Sequence, residues 1–368
     1  MSPRFTDLVA HLPASVPFVG PETQERARGR RFRARIGANE NGFGPSPLAI
    51  EAMRRAAADI WKYADPENHE LREAIAARHG VRLDNVVVGE GIDGLLGLAV
   101  RLVVAPGTKV VTSLGAYPTF NFHVAGFGGD LVRVPYAHDR EDWRGLLDAA
   151  RQCGAALIYL ANPDNPMGTW WPAADIEAMA AAVPERALVC LDEAYVDFMD
   201  ASLEPRIDIE SSRVIRFRTF SKAFGMAGAR IGYALGPAGV MREFEKIRNH
   251  YGVNLVAQAG ALASLGDAGH LPRIRSAVAA ARDRIGAIVG THGLAVLPSA
   301  TNFVAVDTGR DGAFARRLLD GLLARDVFVR MPGVAPLDRT IRIGCGLDSE
   351  LDVPAAELPA ALDAACQT

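Results

Sequence analysis

The chain has 368 residues, 49% hydrophobic and 23% charged, with a net charge of −3; this excludes a disordered chain, a collagen-like repeat and a disulfide-stapled module, and bounds the protein at two or three domains. The near-neutral balance gives no global pull towards nucleic acid, and no apolar run reaches the ~18 residues of a membrane span. Cys153, Cys190, Cys345 and Cys366 form no C-x-x-C pair and the first residues carry no long apolar stretch with a cleavage site, so we expect no zinc cluster or other metal site, no disulfide framework, and a cytoplasmic location.

Residues 1–35 read as an irregular, Pro-containing arm. Its run Arg26, Arg28, Arg30, Arg31, Arg33 and Arg35 reads as a solvated arm or edge strand, or else as a basic rim that attracts anions. Further on, short apolar runs alternate with helical patterns. Strands are predicted at 86–88, 109–113, 130–134, 155–161, 187–192, 214–220 and 229–235. Helices are predicted at 92–104, after 113, from near Glu141, and after Pro172. This alternation of Val/Ile-rich strands and helices predicts a mostly parallel α/β sheet. From about 250 the pattern changes to helices near 254–266 and 270–291. Short strands follow at 294–297, 302–306, 327–329 and 340–343, with a last helix near 350–365. This third reads as a smaller α+β layer that the N-terminal arm joins.

Four loops at predicted strand ends carry candidate chemistry. Gly89-Glu90-Gly91-Ile92-Asp93-Gly94 matches G-x-G-x-x-G, the dinucleotide fingerprint. That reading needs an acid about 20 residues on to hold a ribose, and no Asp or Glu occurs between Leu95 and Gly129. A phosphate at a glycine-rich helix N-terminus, or a plain tight turn, remains. Asn162-Pro163-Asp164-Asn165-Pro166-Met167-Gly168-Thr169 fixes a rigid loop after a strand, where open α/β sheets place ligands. Asp192-Glu193-Ala194-Tyr195 sets a carboxylate at a strand end, suited to an organic cation rather than a lone-ligand metal. Thr219-Phe220-Ser221-Lys222-Ala223-Phe224-Gly225 offers a lysine for desolvation and Schiff-base chemistry. Arg230 follows as a planar donor for phosphate. Together these match what pyridoxal 5′-phosphate (PLP) needs: a lysine, a carboxylate for its ring nitrogen and a cationic phosphate site.

On N-P-x-N-P-x-G-T, D-E-A-Y and S-K-A-F-G-x-x-G-x-R-x-G in this order, the chain resembles the fold-type I PLP-dependent aminotransferases of classes I and II, and within them most resembles the histidinol-phosphate aminotransferase family. The resemblance runs from Asn39 to Gly344. It implies a three-layer PLP-dependent transferase fold with a mostly parallel central sheet and a smaller α+β domain. The implied division is an arm at 1–40 that is part of the small domain, a PLP-binding domain at 41–245 and a small domain at 246–368.

The resemblance also assigns roles. Lys222 would carry PLP and shuttle the proton. Asp192 would keep the ring nitrogen protonated, and Asn162 and Tyr195 would bond its phenolate oxygen. Thr219, Ser221, Arg230 and the amides of Gly91 and Ile92 would hold the phosphate. Phe120 would stack on the ring or else pack in the core. Tyr63 would reach the PLP phosphate of a partner subunit, implying a homodimer. Arg342, Arg330 and Asn39 would bind substrate, with Asn41 lining the same mouth. The implied reaction is ping-pong amino transfer between a donor such as glutamate and an acceptor such as imidazole acetol phosphate. The alternatives are transfer to another, for example aromatic, amino acid, a phospho-amino-acid decarboxylase on the same scaffold, and a non-catalytic PLP-scaffold binding protein. Two departures stand out. Phe18 occupies the arm position where the family usually has a substrate-binding Tyr, and Asp164 replaces the commoner Asn of the N-P-N-N-P loop.

Overall fold

A computed structural model describes residues 4–13 and 19–367. The strands, in chain order, are β1 (Ala34–Arg35), β2 (Val86–Gly89), β3 (Lys109–Ser113), β4 (Asp130–Val134), β5 (Leu157–Ala161), β6 (Leu188–Asp192), β7 (Val214–Thr219), β8 (Gly232–Leu235), β9 (Ala295–Val296), β10 (Phe303–Asp307), β11 (Val327–Phe328) and β12 (Thr340–Gly344). Seven form one sheet in the order β2-β8-β7-β6-β5-β3-β4. The pairs from β7 to β4 are parallel, and β8 runs antiparallel to both its neighbours. β5 is buried along its whole length and β6 nearly so, which is why both read as continuous apolar runs rather than alternating ones.

Helices pack on the sheet through apolar stripes. Helix Gly91–Val103 buries Ile92, Leu95, Leu96, Ala99 and Val100. Helix Trp143–Cys153 buries Leu146, Leu147 and Ala150 beside β5 and β6. Their i, i+3, i+4 spacing covers one face each. A second, antiparallel sheet has the order β12-β10-β9, and β1 pairs in parallel with β11.

Three expectations are corrected. The arm is not irregular: it carries helices Asp7–His11 and Pro21–Arg28. The helix placed near Glu141 begins at Trp143, leaving Glu141 in the preceding loop and 1% exposed. The last strand of the large sheet begins at Gly232, because Arg230 takes a left-handed backbone (φ 54°).

The arginine run is mostly an ion-paired seam. Arg28 and Arg30 both pair with Asp326, Arg33 with Glu357 and Arg35 with Glu22. The pairs to Asp326 and Glu357, with the β1–β11 ladder, fasten the arm to the C-terminal third, while Arg35–Glu22 braces the arm internally. None of the described helices is long and apolar enough to cross a membrane.

Candidate active site

The parallel strands β2, β5, β6 and β7 all end on one edge of the large sheet, and the chemistry-bearing loops leave from that edge. Register sets their spacing: Ala161 of β5 lies opposite Asp192 of β6, and Asp192 opposite Phe217 of β7. Glu193 reinforces this pairing from behind. It accepts two hydrogen bonds from Arg216 (2.9 and 2.7 Å) and one from Arg218 (2.8 Å), all three side chains being buried.

Lys222 follows β7 in a turn closed by Gly225, whose positive φ and contact with Gly44 leave no room for a side chain: a Cβ there would lie 2.5 Å from the Gly44 carbonyl carbon. The Lys222 Nζ donates to the Asn39 carbonyl at 3.1 Å and lies 5.5 Å from the Tyr195 ring centre. Burial, then the charge of Arg342, pushes its pKa down to about 8. An amine so placed is partly neutral at physiological pH, as a nucleophile requires.

Asp192 is buried. It accepts a hydrogen bond from the Tyr159 hydroxyl (2.7 Å) and one from the Ala194 amide (2.9 Å), and has no ion-pair partner among the described residues. Burial raises its pKa to about 6 against the pull of those two donors. A buried carboxyl held by two donors but no cation is suited to a protonated ring nitrogen. Tyr195 stands beside it, its hydroxyl accepting from the Asn39 amide at 2.8 Å; burial raises its pKa.

The phosphate candidates also converge. Arg230 donates to Ser221 Oγ at 3.3 Å, and Thr219 Oγ1 accepts from the Ser221 amide at 3.0 Å. At Gly91 (φ 77°) a Cβ would lie 2.5 Å from an Arg230 nitrogen. The missing side chain therefore lets the exposed Arg230 guanidinium lie directly against the backbone at Gly91, next in the chain to the Ile92 amide. The residues fit a phosphate-bearing, ring-cationic cofactor.

Other candidates sit differently. The Asn162 side chain donates to the Trp171 carbonyl (3.3 Å) and accepts from its amide (2.7 Å), so it ties its own loop while its backbone amide bonds Asp192. Phe120 is fully buried and stacks on Tyr159 at 4.5 Å between ring centres. Asn41 donates to the Ala223 carbonyl at 3.1 Å. Arg330 and Arg342 are brought together by a β-bridge. The Arg342 guanidinium donates to the Asn165 side chain and to the Gly37 carbonyl, and Arg330 to the Val19 carbonyl of the arm. Burial and the Arg342 charge hold the Arg330 pKa at about 10. A cavity of about 310 Å³, lined by Arg35, Asn39, Glu40 and Cys345, shares only Asn39 with these candidates. Tyr63 does not join this cluster: it is 84% exposed, 4.9 Å from the Tyr251 ring. Phe18 lies outside the described residues.

The family model for aminotransferase class I and II matches residues 35–357. The chain belongs to the class I and II aminotransferases. Among curated relatives, the histidinol-phosphate aminotransferase of Anaeromyxobacter sp. (strain Fw109-5) is 38% identical over 330 residues, covering 87% of this chain and 89% of the relative. That of Moorella thermoacetica is 31% identical, covering 94% and 89%. Among solved structures, the histidinol-phosphate aminotransferase from Sinorhizobium meliloti in complex with pyridoxal-5′-phosphate superposes with a TM-score of 0.95 and 54% identity, covering 99% of this chain and 98% of that one. The fold of this aminotransferase is therefore the fold-type I architecture that the motifs implied.

Some functional residues escaped the sequence reading. Tyr159 donates to Asp192. Asn302 donates to the Asn39 and Glu40 carbonyls (3.2 and 3.0 Å) and so braces the carbonyl that receives Lys222. Tyr159 had a findable signal: it lies two residues before Ala161, hence on the same sheet face as the position paired with Asp192. Asn302 had none, because its partners are over 260 positions away.

Proposed function

We propose that this aminotransferase is a PLP-dependent histidinol-phosphate aminotransferase, cycling between an amino donor such as glutamate and an oxo acceptor such as imidazole acetol phosphate. The observation that carries the reading is Lys222, with its pKa near 8, at the same sheet edge as the cation-free Asp192 and the Gly91–Arg230 cradle. Bound PLP supplies an electron-poor ring that takes up the electron pair left when the donor's Cα–H bond breaks. The residues do the rest. Lys222 Nζ takes the proton from Cα and delivers it on the cofactor side, and holding it beside Cα supplies rate through proximity. Asp192, ionised against the ring nitrogen, keeps that nitrogen protonated. Tyr195 and Asn162 would donate to the ring oxygen, while Thr219, Ser221, Arg230 and the Gly91 and Ile92 amides would hold the phosphate. Phe120, stacked on Tyr159, would cover one ring face. Arg342 and Arg330 bind the substrate's anionic groups, since guanidinium suits bidentate oxyanions, and Asn39 lines the same mouth.

The same reading makes the enzyme a cytoplasmic homodimer in which Tyr63 reaches the partner's PLP phosphate. The high exposure of Tyr63, Trp61 and Ile60 supports this. The division into an arm at 1–40, a PLP domain at 41–245 and a small domain at 246–368 belongs to it too. A donor panel tests the reading. Histidinol phosphate should bleach the visible band of the loaded enzyme, and imidazole acetol phosphate should restore it. Faster bleaching by aromatic amino acids would move the substrate assignment, and release of carbon dioxide would replace transfer with decarboxylation.

A further inference from the structure

Beside the site lie two buried carboxyl groups that amino transfer does not use. Asp164, in the 162–169 loop, is 2% exposed and Glu141 is 1% exposed. Asp164 accepts from the Tyr136 hydroxyl (2.9 Å) and the Met167 amide (3.0 Å). Glu141 accepts from Ser113 Oγ (2.6 Å) and the Ala161 amide (2.9 Å). The two carboxyl groups are within hydrogen-bond reach of each other. No lysine, arginine or histidine forms an ion pair with either among the described residues. The surrounding ionisable groups are Tyr136 beyond β4, Tyr159 on β5, Tyr195 after β6 and Arg342 on β12, the last too distant to pair but close enough to be felt. Asp139 is turned away into its own bond with Arg339.

Charge counting leaves one arrangement. Four donors and the Arg342 field favour a negative charge on the pair. Two charges so close in a dry pocket would repel strongly. One negative charge and one proton satisfy both conditions. We propose that Glu141 and Asp164 share a single proton, and that this proton holds the 162–169 loop in the shape that presents Asn165 to Arg342. Asp164 is then a positioning residue for the substrate arginine, and the sequence departure at 164 is functional. Burial, which raises both groups and puts Asp164 at about 6, agrees with this.

The consequence is a pH dependence with a definite sign. The folded chain keeps a proton that the unfolded chain loses near pH 4, so stability falls as pH rises until the pair releases it. Above that point the doubly charged pair pushes the loop from Arg342. Asp164→Asn tests this: its amide donates to Glu141 permanently and its carbonyl still accepts from Tyr136, while the Met167 amide loses its acceptor at every pH alike. Glu141→Gln is the second variant should the first fail to fold.

Urea unfolding of the whole chain is followed from pH 6 to 9 at fixed protein concentration. The wild-type unfolding constant should rise about tenfold per pH unit more steeply than that of either amide variant while the pair holds its proton. In parallel, the wild-type KM for histidinol phosphate should climb at alkaline pH while the variants' KM stays level. The KM measurement rests on the proposed function; the unfolding measurement does not, so the two can fail separately. Parallel unfolding profiles for wild type and both variants would overturn the shared proton. Divergent unfolding with an unchanged KM profile would overturn the positioning role.

Discussion

Lys222 and Asp192 owe their reactivity to burial, and each makes a prediction at the scale of one side chain. Only a neutral amine attacks an aldehyde, and Lys222 has a pKa of about 8. PLP uptake should therefore accelerate about tenfold per pH unit below 8 and level off above it, a profile that stopped-flow absorbance can follow. Lys222→Ala should lower kcat by at least ~10³-fold, since it removes both the anchor and the proton shuttle. Tyr159→Phe removes the 2.7 Å donor to Asp192, which raises the carboxyl's pKa further. A hydrogen bond to a charged group contributes ~1.5–3 kcal/mol, so we expect a ten- to hundredfold loss in kcat/KM, greatest at low pH where Asp192 is protonated. These side chains differ in legibility. Lys222, Asp192 and Arg230 were visible because each sits in a short motif at a strand end. The Glu141–Asp164 pair was not, because Ser113, Tyr136 and the 161–167 stretch that hold it are three chain segments that the sheet brings together.

Elements carry the site by fixing which loops meet. The strands were legible because a doubly covered sheet demands continuous apolar runs, which β5 and β6 display. The arm helix Pro21–Arg28 escaped an apolar-pattern reading because it buries only Pro21. Its ends did carry the signs: Pro21 in the first turn, Glu22 beside it, arginines in the last turn and Gly29 in a left-handed cap. At this scale the Glu193 bonds to β7 make a sharp prediction. Glu193→Gln leaves Arg216 and the fully buried Arg218 short of negative charge. Breaking a buried pair on one side costs ~3–5 kcal/mol, so chemical denaturation should show a loss of that order, with PLP affinity falling as β6 and β7 lose their register.

The proposed homodimer would make the whole molecule half of an active unit. The near-neutral net charge gave no hint of partners because the informative charges are local: Arg330 and Arg342 are bridged, Lys222 feels both Arg342 and Arg230, and four of the arm's six arginines are in ion pairs. If Tyr63 completes the partner's site, mixing Lys222→Ala and Tyr63→Ala protomers should restore activity that neither has alone. Each mixed dimer then holds one intact site, giving roughly a quarter of wild-type turnover after random re-pairing. Absence of rescue would show that each chain carries a complete site.

The most direct test of the central claim is a visible spectrum of the purified protein loaded with PLP, before and after histidinol phosphate and then after a 2-oxo acid. The wild type should show a band that disappears with the amino donor and returns with the acceptor, and Lys222→Ala should show no such cycle. A wild-type protein that takes up no PLP, or a Lys222→Ala variant that cycles at the wild-type rate, would contradict it.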